Sequence, residues 1–340
     1  LTSLSVVQIN IMRIAFHNVD FSSRSGPNAF CTRLARQLAI MGHDLVDPGD
    51  TCDVDLVNIA SPSTQKRGRR RILRLDGIWT RPGDGPRNAP IQEEHAAVDA
   101  IVWQSAYDRR ISEATFGSHR GFIIQNGASC ERTCDTSTVA GIRRLADVVF
   151  CASASWHPQK RLRACIDAMR AYAMNVKRSA CIIVLGRTQR TICGPDVFYC
   201  NDLDELGCRT VYEASDAMLH MAWRDHCPNA CVEALAVGTP VVCTSSGGTP
   251  ELVDATCGVI IDDTLDRTID PLTFDYDDPP LIDVNVPFML PARGSFDVER
   301  FSIVTAARAY EAAMLEVIRI VFPVIDDVHE RYATWPRKSY

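Results

Sequence analysis

Short apolar runs alternate with amphipathic segments along the first half of the chain, and this pattern most constrains its fold. The run at residues 13–16 is followed by residues 28–41, where apolar side chains recur at helical spacing before Gly42. Such alternation is typical of a parallel sheet covered on both faces. Further strands are predicted at residues 55–59, 72–75, 100–103 and 121–124, and a further helix at 107–116.

The second half repeats the alternation from residue 148 onward. The segment between residues 126 and 147 carries Gly, Ser, Thr and Cys and is the candidate linker. The sequence therefore predicts an α/β protein of two doubly wound domains, whose ligand cleft lies at the carboxyl ends of the strands. Strands are predicted here at 148–150, 181–185, 218–222 and 240–243, and helices at 159–172 and 230–237.

Composition excludes several classes of protein. With 46% hydrophobic and 23% charged residues the chain is neither disordered nor fibrous, and no apolar stretch approaches a membrane span. The net charge of −6 argues against nucleic-acid binding through overall charge. The 14 cysteines lack a disulfide or zinc spacing, so we expect buried thiols in a reducing, cytoplasmic compartment. Residues 1–11 do not resemble a signal peptide, and Met12 is the expected start.

The most informative polar groups lie between Ala222 and Leu252. Asp225 follows a predicted strand, a helix begins near Pro228, and Glu233 lies on the second turn of that helix. The unpaired amides of a helix start form a ready site for phosphate. Here they belong to Asn229, Ala230 and Cys231.

A glycine pair after the next strand, Gly247 and Gly248, is expected to let the backbone approach a ligand closely. The whole series resembles the signature of the retaining glycosyltransferases of family four. The matching stretch runs from Asp225 over seven residues to Glu233 and Ala-Leu-Ala-Val-Gly-Thr-Pro-Val, then to the glycine pair and Glu251. A lone pair of carboxylates would be weak evidence, whereas this ordered combination is specific.

The resemblance implies the GT-B fold, in which two Rossmann-like domains face each other and the last helix crosses back to the first. It extends over most of the chain, because residues 104–105, 124–127 and 155–162 are similar to the family as well. The implied domains are residues 1–140, on the acceptor side with 301–340 packed back on them, and residues 141–300, on the donor side.

The resemblance also implies roles for matching residues. Lys160 would bind the donor diphosphate, and it is one of only four lysines beside 32 arginines. Asp225 would hold hydroxyls of the donor sugar, Glu233 those of the ribose, and Gly26 would let the first loop approach the phosphates. Asp225 and Lys160 are the expected catalytic residues of the donor side. The remaining donor-binding residues would be Cys227, Pro228, Asn229, Ala230, Cys231, Gly247 and Gly248.

The expected donor is a UDP-, GDP- or other nucleoside diphosphate sugar, with no cofactor and no metal. Transfer builds negative charge on the departing diphosphate, so cations and helix-start amides there stabilise the transition state. In the implied retaining mechanism a phosphate oxygen accepts the proton of the acceptor, so no protein nucleophile is required.

Two departures from the family weaken the implied site. Ser155 stands where the family carries a phosphate-binding arginine, and Asp225 is one methylene shorter than the usual glutamate. Arg187, directly after Gly186 at a strand end, is the candidate that replaces the missing charge, ahead of Arg161 and Arg224. An Arg187 that is merely solvated is an equally weighted alternative.

On the acceptor side, two strand-end residues are candidates. Asp76 is expected to orient or deprotonate an acceptor hydroxyl, with a turn-forming Asp-Gly as the alternative. His17, after the first strand, could contact donor or acceptor, although a structural role is favoured for a lone histidine there.

Two charged segments lie outside this scheme. The Asp- and Pro-rich segment 262–299 is predicted to be a solvated loop, because such a composition cannot bury a core. A metal site is the alternative, but the spacing of a calcium loop is absent. The basic run from Lys66 to Arg71 is predicted to be a solvated loop too, with peripheral membrane or nucleic-acid contact as the alternative.

Three hypotheses for function follow. The first is a glycosyltransferase that moves a sugar from a nucleoside diphosphate donor to a hydroxyl acceptor such as a glycan, in glycan biosynthesis. The second is a nucleotide-binding pseudo-enzyme of the same fold, suggested by Ser155 and Asp225. The third is a transferase that acts on nucleic acid through the basic run. The oligomeric state is not readable from the sequence.

Overall fold

The computed structural model describes residues 11–23, 25–61, 69–132 and 135–319. The first half of the chain forms a six-stranded sheet in which every strand pair is parallel, with the order β2-β1-β3-β4-β5-β6. Its strands are β1 (Arg13–His17), β2 (Asp44–Val46), β3 (Val54–Asn58), β4 (Arg70–Leu75), β5 (Ala100–Trp103) and β6 (Gly121–Ile123). Its helices are α1 (Gly26–Ile40), α2 (Gly85–Ala97) and α3 (Ala106–Phe116).

The second half forms another parallel sheet of six strands, with the order β12-β11-β10-β7-β8-β9. Its central strands are buried on both faces, as their continuous apolar sequences predict. The strands are β7 (Val148–Ser153), β8 (Ala180–Leu185), β9 (Val197–Cys200), β10 (Ala217–His220), β11 (Val241–Thr244) and β12 (Gly258–Ile261). The helices are α4 (Thr136–Ile142), α5 (Leu162–Val176), α6 (Glu205–Ala214) and α7 (Asn229–Ala236).

The last described helix, α8 (Ile303–Arg319), returns to the first half of the chain. Tyr310 and Met314 on its apolar face are buried with Phe30 and Leu34 of α1 and with strands of the first sheet. The predicted GT-B fold with a returning helix is therefore confirmed. The bounds predicted for the two domains remain predictions, as does any structure for residues 320–340, which lie outside the described residues.

The elements that the sequence pattern missed are mostly short or at sheet edges. β2 lies at one edge of the first sheet, and β12 and β9 lie at the two edges of the second. The side chains of these three strands are only partly buried. Half-exposed strands of three or four residues carry little hydrophobic signal. The predicted linker contains α4, whose Ile142 packs against the core of the second half.

The prediction of a solvated loop at 262–299 is right in part, because the segment has no strand or α-helix and many exposed residues, but it also crosses from the second half to the first. The backbone amide of Phe274 donates to the carbonyl of Thr80, and the Phe274 ring is buried. The carboxylate of Asp263 is buried against Arg161 at 2.6 Å. Asp263 and Asp266 thus form buried or partly buried ion pairs with arginines, which composition alone does not reveal.

We expect Met314→Ala to lower the free energy of unfolding by about 2–5 kcal/mol, because it empties a buried volume between α8 and the first half. Urea unfolding measures this change. Met289→Ala is the matched control, since the Met289 side chain is exposed and its loss should change stability by less than about 0.5 kcal/mol. Equal effects of the two substitutions would contradict the packing of α8 described here.

Candidate active site

A cleft of about 430 Å³ lies between the two halves, where the carboxyl ends of both sheets meet. Eight of the predicted site residues line it: Gly26, Asp76, Lys160, Asp225, Cys227, Pro228, Asn229 and Ala230. The other lining residues are Pro27, Gln104, Asn126, Ser153, Ala154, Ser155, His157, His220 and His226.

Asp225 and Lys160 are in direct contact on the donor side of this cleft. The Nζ of Lys160 donates to Oδ2 of Asp225 at 2.5 Å, and Nε2 of His220 lies 3.2 Å from the same oxygen. Burial disfavours the ionised carboxyl group, but the positive charge of Lys160 and the hydrogen bond from His220 outweigh it and lower the pKa of Asp225 well below its usual range. Asp225 is therefore a carboxylate at neutral pH.

Two helix N-termini point into the cleft from opposite halves. Pro27 and Pro228 lie at the starts of α1 and α7, where a missing amide hydrogen costs nothing. The Nδ2 of Asn229 donates to the carbonyl of Gly26 at 2.7 Å and joins the two starts. The backbone amides of Asn229 and Ala230 donate no hydrogen bond to another described residue. This edge of the cleft therefore presents free donors and the positive ends of two helix dipoles.

On the acceptor side, Asp76 follows β4 and lines the cleft, as predicted. Its carboxylate pairs with the fully buried guanidinium of Arg74, which also donates to Asn58 and Asn126. Burial raises the pKa of Asp76, and the charge of Arg74 only partly offsets this.

His226 occupies the space between the halves. Its Nδ1 lies 3.3 Å from the Asp108 carboxylate, and the Tyr276 hydroxyl lies 3.5 Å from its Nε2. Burial lowers the pKa of His226, but the carboxylates of Asp108, Asp225 and Asp76 outweigh it and raise the pKa above its usual value. The imidazolium is thus favoured by carboxylates from both halves.

Glu233 lies one helical turn beyond Asn229 and is not among the lining residues of the cleft. Its Oε1 accepts a hydrogen bond from NH1 of Arg33 on α1 at 2.9 Å. Burial raises the pKa of Glu233, and Arg33 works against this rise. A ribose at Glu233 would have to share or displace this contact, so the predicted role of Glu233 remains a prediction.

The glycine pair does not line the cleft, contrary to expectation. Gly247 has a positive φ of 75°, and the amide of Gly248 donates to the carbonyl of Asp225 at 2.7 Å. A Cβ on Gly248 would lie 2.0 Å from the carbonyl oxygen of His226 and 2.5 Å from Oγ of Ser105. These glycines therefore hold the loop of Asp225 and allow the two halves to approach, instead of approaching a ligand themselves.

Glu251, the last residue of the family signature, joins the halves as well. Its two carboxylate oxygens accept hydrogen bonds from the amides of Ala106 and Tyr107, at 2.7 and 2.8 Å. These amides are the first of α3, so a residue of the second half caps a helix of the first.

Three other predicted residues lie outside the cleft. The Cys231 side chain is buried in the core of the second half, and its amide bonds to the carbonyl of Pro228. The His17 ring is buried against Asp55 at 2.7 Å, so its placement on the acceptor side is wrong and the structural alternative holds. Arg187 is 82% exposed and pairs with Asp202 in an adjoining cavity, which shares Ser153, Ala154 and Ser155 with the cleft.

In the described part of the basic run, residues 69–71, Arg69 is exposed, whereas Arg70 and Arg71 are paired with carboxylates. Arg70 and Arg71 lie on β4. Arg70 pairs with Asp99 at 2.8 Å, and Arg71 is buried against Glu94 at 2.5 Å. Lys66, Arg67 and Gly68 lie outside the described residues, as does Cys134. The described cysteines are free thiols and most are buried, as expected.

No helix in the described ranges is long and apolar enough to cross a membrane.

Sequence reasoning missed His220 and His226 as residues of the site. His220 ends a strand whose other residues are typical of an apolar core, and His226 has no spaced partner in the sequence that would indicate a site. The usable signal was a polar residue at the carboxyl end of a central strand, the rule that identified Asp76.

Comparison with known proteins supports the fold and one domain. Residues 146–270 match the family model described as Glycosyl transferases group 1. The chain carries a group 1 glycosyltransferase domain. The predicted enzyme class, a glycosyltransferase, is confirmed at the level of this domain. No curated protein matches the sequence.

Solved glycosyltransferases resemble the whole chain in fold. A glycosyltransferase from Rickettsia africae has a TM-score of 0.62 and 12% identity, with 91% of this chain and 99% of that chain covered. Sucrose-phosphate synthase from Thermosynechococcus elongatus has a TM-score of 0.61 and 12% identity, with coverages of 95% and 100%. HepE from Anabaena, solved in complex with UDP, has a TM-score of 0.58 and 12% identity, with coverages of 89% and 99%. At these identities the likeness shows the fold.

We expect His226→Gln to destabilise the protein more at pH 6 than at pH 9. A folded-state pKa above the usual value means that protonated His226 contributes stability below about pH 6.5 and loses it as pH rises through the raised pKa. Denaturant unfolding of both proteins at the two pH values measures the difference. In an Asp108→Asn background the pH dependence should shrink, and a larger effect at pH 9 would contradict the assignment.

Gly248→Ala is expected to lower the free energy of unfolding by about 1–3 kcal/mol, because the added methyl group overlaps the His226 carbonyl and, across the two halves, the Ser105 side chain. Gly85→Ala is the control, since a Cβ on Gly85 at the start of α2 meets open space. Thermal or urea unfolding reports both values. If Gly248→Ala were as well tolerated as Gly85→Ala, the close approach of the halves at this point would be wrong.

Proposed function

We propose that the protein transfers a sugar from a nucleoside diphosphate donor to a hydroxyl acceptor, with retention of the anomeric configuration. One observation carries the proposal: Lys160, Asp225 and the N-termini of α1 and α7 converge on one cleft between the two sheets. This arrangement offers positive charge for a diphosphate and, beside it, a carboxylate that can accept hydrogen bonds from sugar hydroxyls.

The diphosphate would lie against Lys160 and the free backbone amides of Asn229 and Ala230. The two amides are held by the start of α7 before the reaction, so they stabilise charge on the leaving group with little rearrangement. The ammonium of Lys160 has three donors and can turn from Asp225 toward a phosphate on its flexible side chain. We therefore propose transfer that does not depend on a metal ion.

The donor sugar would contact Asp225, and the nucleoside would extend past Ser153 and Ser155 into the adjoining cavity of about 480 Å³ beside Arg187. Glu233 would serve the ribose once Arg33 shares or releases it. Because HepE is solved with UDP and with UDP-glucose, a uridine diphosphate sugar is the first donor to test.

In the proposed step the bond between the anomeric carbon and the phosphate oxygen breaks, and a bond to the acceptor oxygen forms on the same face. The acceptor proton passes to the departing phosphate oxygen. Asp76, which lines the opposite side of the cleft, would orient the acceptor hydroxyl through a hydrogen bond.

A nucleotide-binding protein without efficient transfer is the second candidate, and Ser155 favours it. No arginine is among the cleft-lining residues in the part of the chain that the structure describes. A nucleic-acid substrate is not favoured, since Arg70 and Arg71 are paired with carboxylates.

We expect one nucleoside diphosphate among UDP, GDP and ADP to stabilise the protein without added metal. At about 100 times its Kd the ligand would add about 2.7 kcal/mol, which a thermal-shift measurement detects. Lys160→Ala should abolish the shift, because it removes the ammonium group that would contact the diphosphate. Lys177→Ala, at an exposed lysine after α5, is the matched control and should retain it.

The outcome separates the two candidates when donor turnover is measured with the sugar conjugate of the same nucleotide. A shift together with donor hydrolysis or transfer supports the enzyme. A shift without turnover in the presence of acceptors would support the second candidate, and no shift with any nucleotide would overturn both.

A further inference from the structure

His220 stands out because it is a buried histidine at the end of a strand made of core residues. β10 lies between β7 and β11 in the second sheet, and its preceding residues, Ala217, Met218 and Leu219, are fully buried. The His220 side chain is 5% exposed and lines the cleft. A polar ring in such a place is costly unless it is hydrogen-bonded, so its partner indicates why it is there.

That partner is Asp225. Nε2 of His220 lies 3.2 Å from Oδ2 of Asp225, the oxygen that also accepts from Lys160 at 2.5 Å. Because the Asp225 carboxyl group is ionised at neutral pH, it can only accept hydrogen bonds, and the proton of this contact must be on Nε2. Oδ1 of Asp225 accepts no hydrogen bond from the described residues, so one oxygen is anchored and the other is left for a ligand.

The two donors on Oδ2 differ in how firmly they are fixed. Lys160 has a long flexible side chain, and a bound diphosphate would compete with Asp225 for its ammonium group. The His220 ring is held by a central strand and cannot follow the phosphate. When Lys160 turns toward a diphosphate, His220 is therefore the donor that keeps the Asp225 carboxylate in place.

We propose that His220 is a positioning residue for the donor sugar, which fixes Asp225 so that its free oxygen accepts a hydroxyl of the sugar. This inference rests on the proposed function and adds a specific consequence to it. Loss of His220 weakens recognition of the sugar and leaves recognition of the nucleoside diphosphate unchanged. A role in folding alone would weaken both or neither.

The test compares affinities for UDP, GDP and ADP and for their glucose conjugates, measured as matched pairs by isothermal titration calorimetry. The ratio of the two affinities isolates the contribution of the sugar. His220→Leu should reduce that contribution by roughly tenfold, because a hydrogen bond to a charged group is lost. His220→Gln, which keeps an N–H donor at similar reach, should restore most of it.

Two further variants make the result specific. In an Asp225→Ala background His220→Leu should have no additional effect on the ratio, since the carboxylate it positions is gone. His43→Leu is the matched control, because it removes another buried histidine bonded to a carboxylate, Glu311 at 3.1 Å, away from the cleft. It should leave the ratio unchanged.

The possible failures are distinguishable. If His220→Leu weakened UDP and UDP-glucose equally, or left the ratio unchanged, the inference would be overturned while the proposed function stood. If the effect of His220→Leu persisted in the Asp225→Ala background, positioning through Asp225 would be wrong. A wild-type protein that bound none of the six probes would overturn the proposed function and this inference with it.

Discussion

The buried guanidinium of Arg74 is the constraint around which the two halves are arranged. A charge without access to water requires compensation, and the terminal nitrogens of Arg74 obtain it from Asp76, Asn58 and Asn126. The Asn126 amide in turn bonds to the carbonyl of Cys227 and the side chain of Asn229. Asn126 thus both accepts a hydrogen bond from Arg74 in the first half and holds the start of α7 in the second. These bonds fix the residues at the bottom of the cleft.

Polar contacts, more than apolar packing, then determine how the halves face each other. Each sheet has its own apolar clusters, and α8 adds apolar contact only to the first. Across the cleft the contacts are hydrogen bonds and ion pairs, such as Arg33 with Glu233 and Asn229 with Gly26. These directional contacts specify a relative orientation that hydrophobic burial alone would leave loose. They also leave room for ligands, since water or a substrate can replace them.

The periodicity of the sequence was sufficient to predict two parallel sheets, because central strands buried on both faces leave a strong apolar signal. Edge strands such as β2 do not leave that signal and were missed. For the site, the ordered signature around Asp225 and Glu233 located one side of the cleft, and the structure brings Lys160 to it. Contacts across the cleft were beyond reach, because no local pattern relates Glu233 to Arg33 or Glu251 to α3. The prediction for segment 262–299 missed its contacts for a related reason, because Asp263 and Asp266 pair with arginines that are far away in sequence.

The capping of α3 by Glu251 has a consequence for how such proteins can recombine. A helix start of the first half is completed by a carboxylate of the second, so neither half carries a finished set of hydrogen bonds by itself. A chimera that joined this first half to the second half of a distant relative would inherit bare amides at Ala106 and Tyr107 unless an acid reached the same spot. The two halves are therefore matched at this contact, and exchange of one half requires exchange of the other.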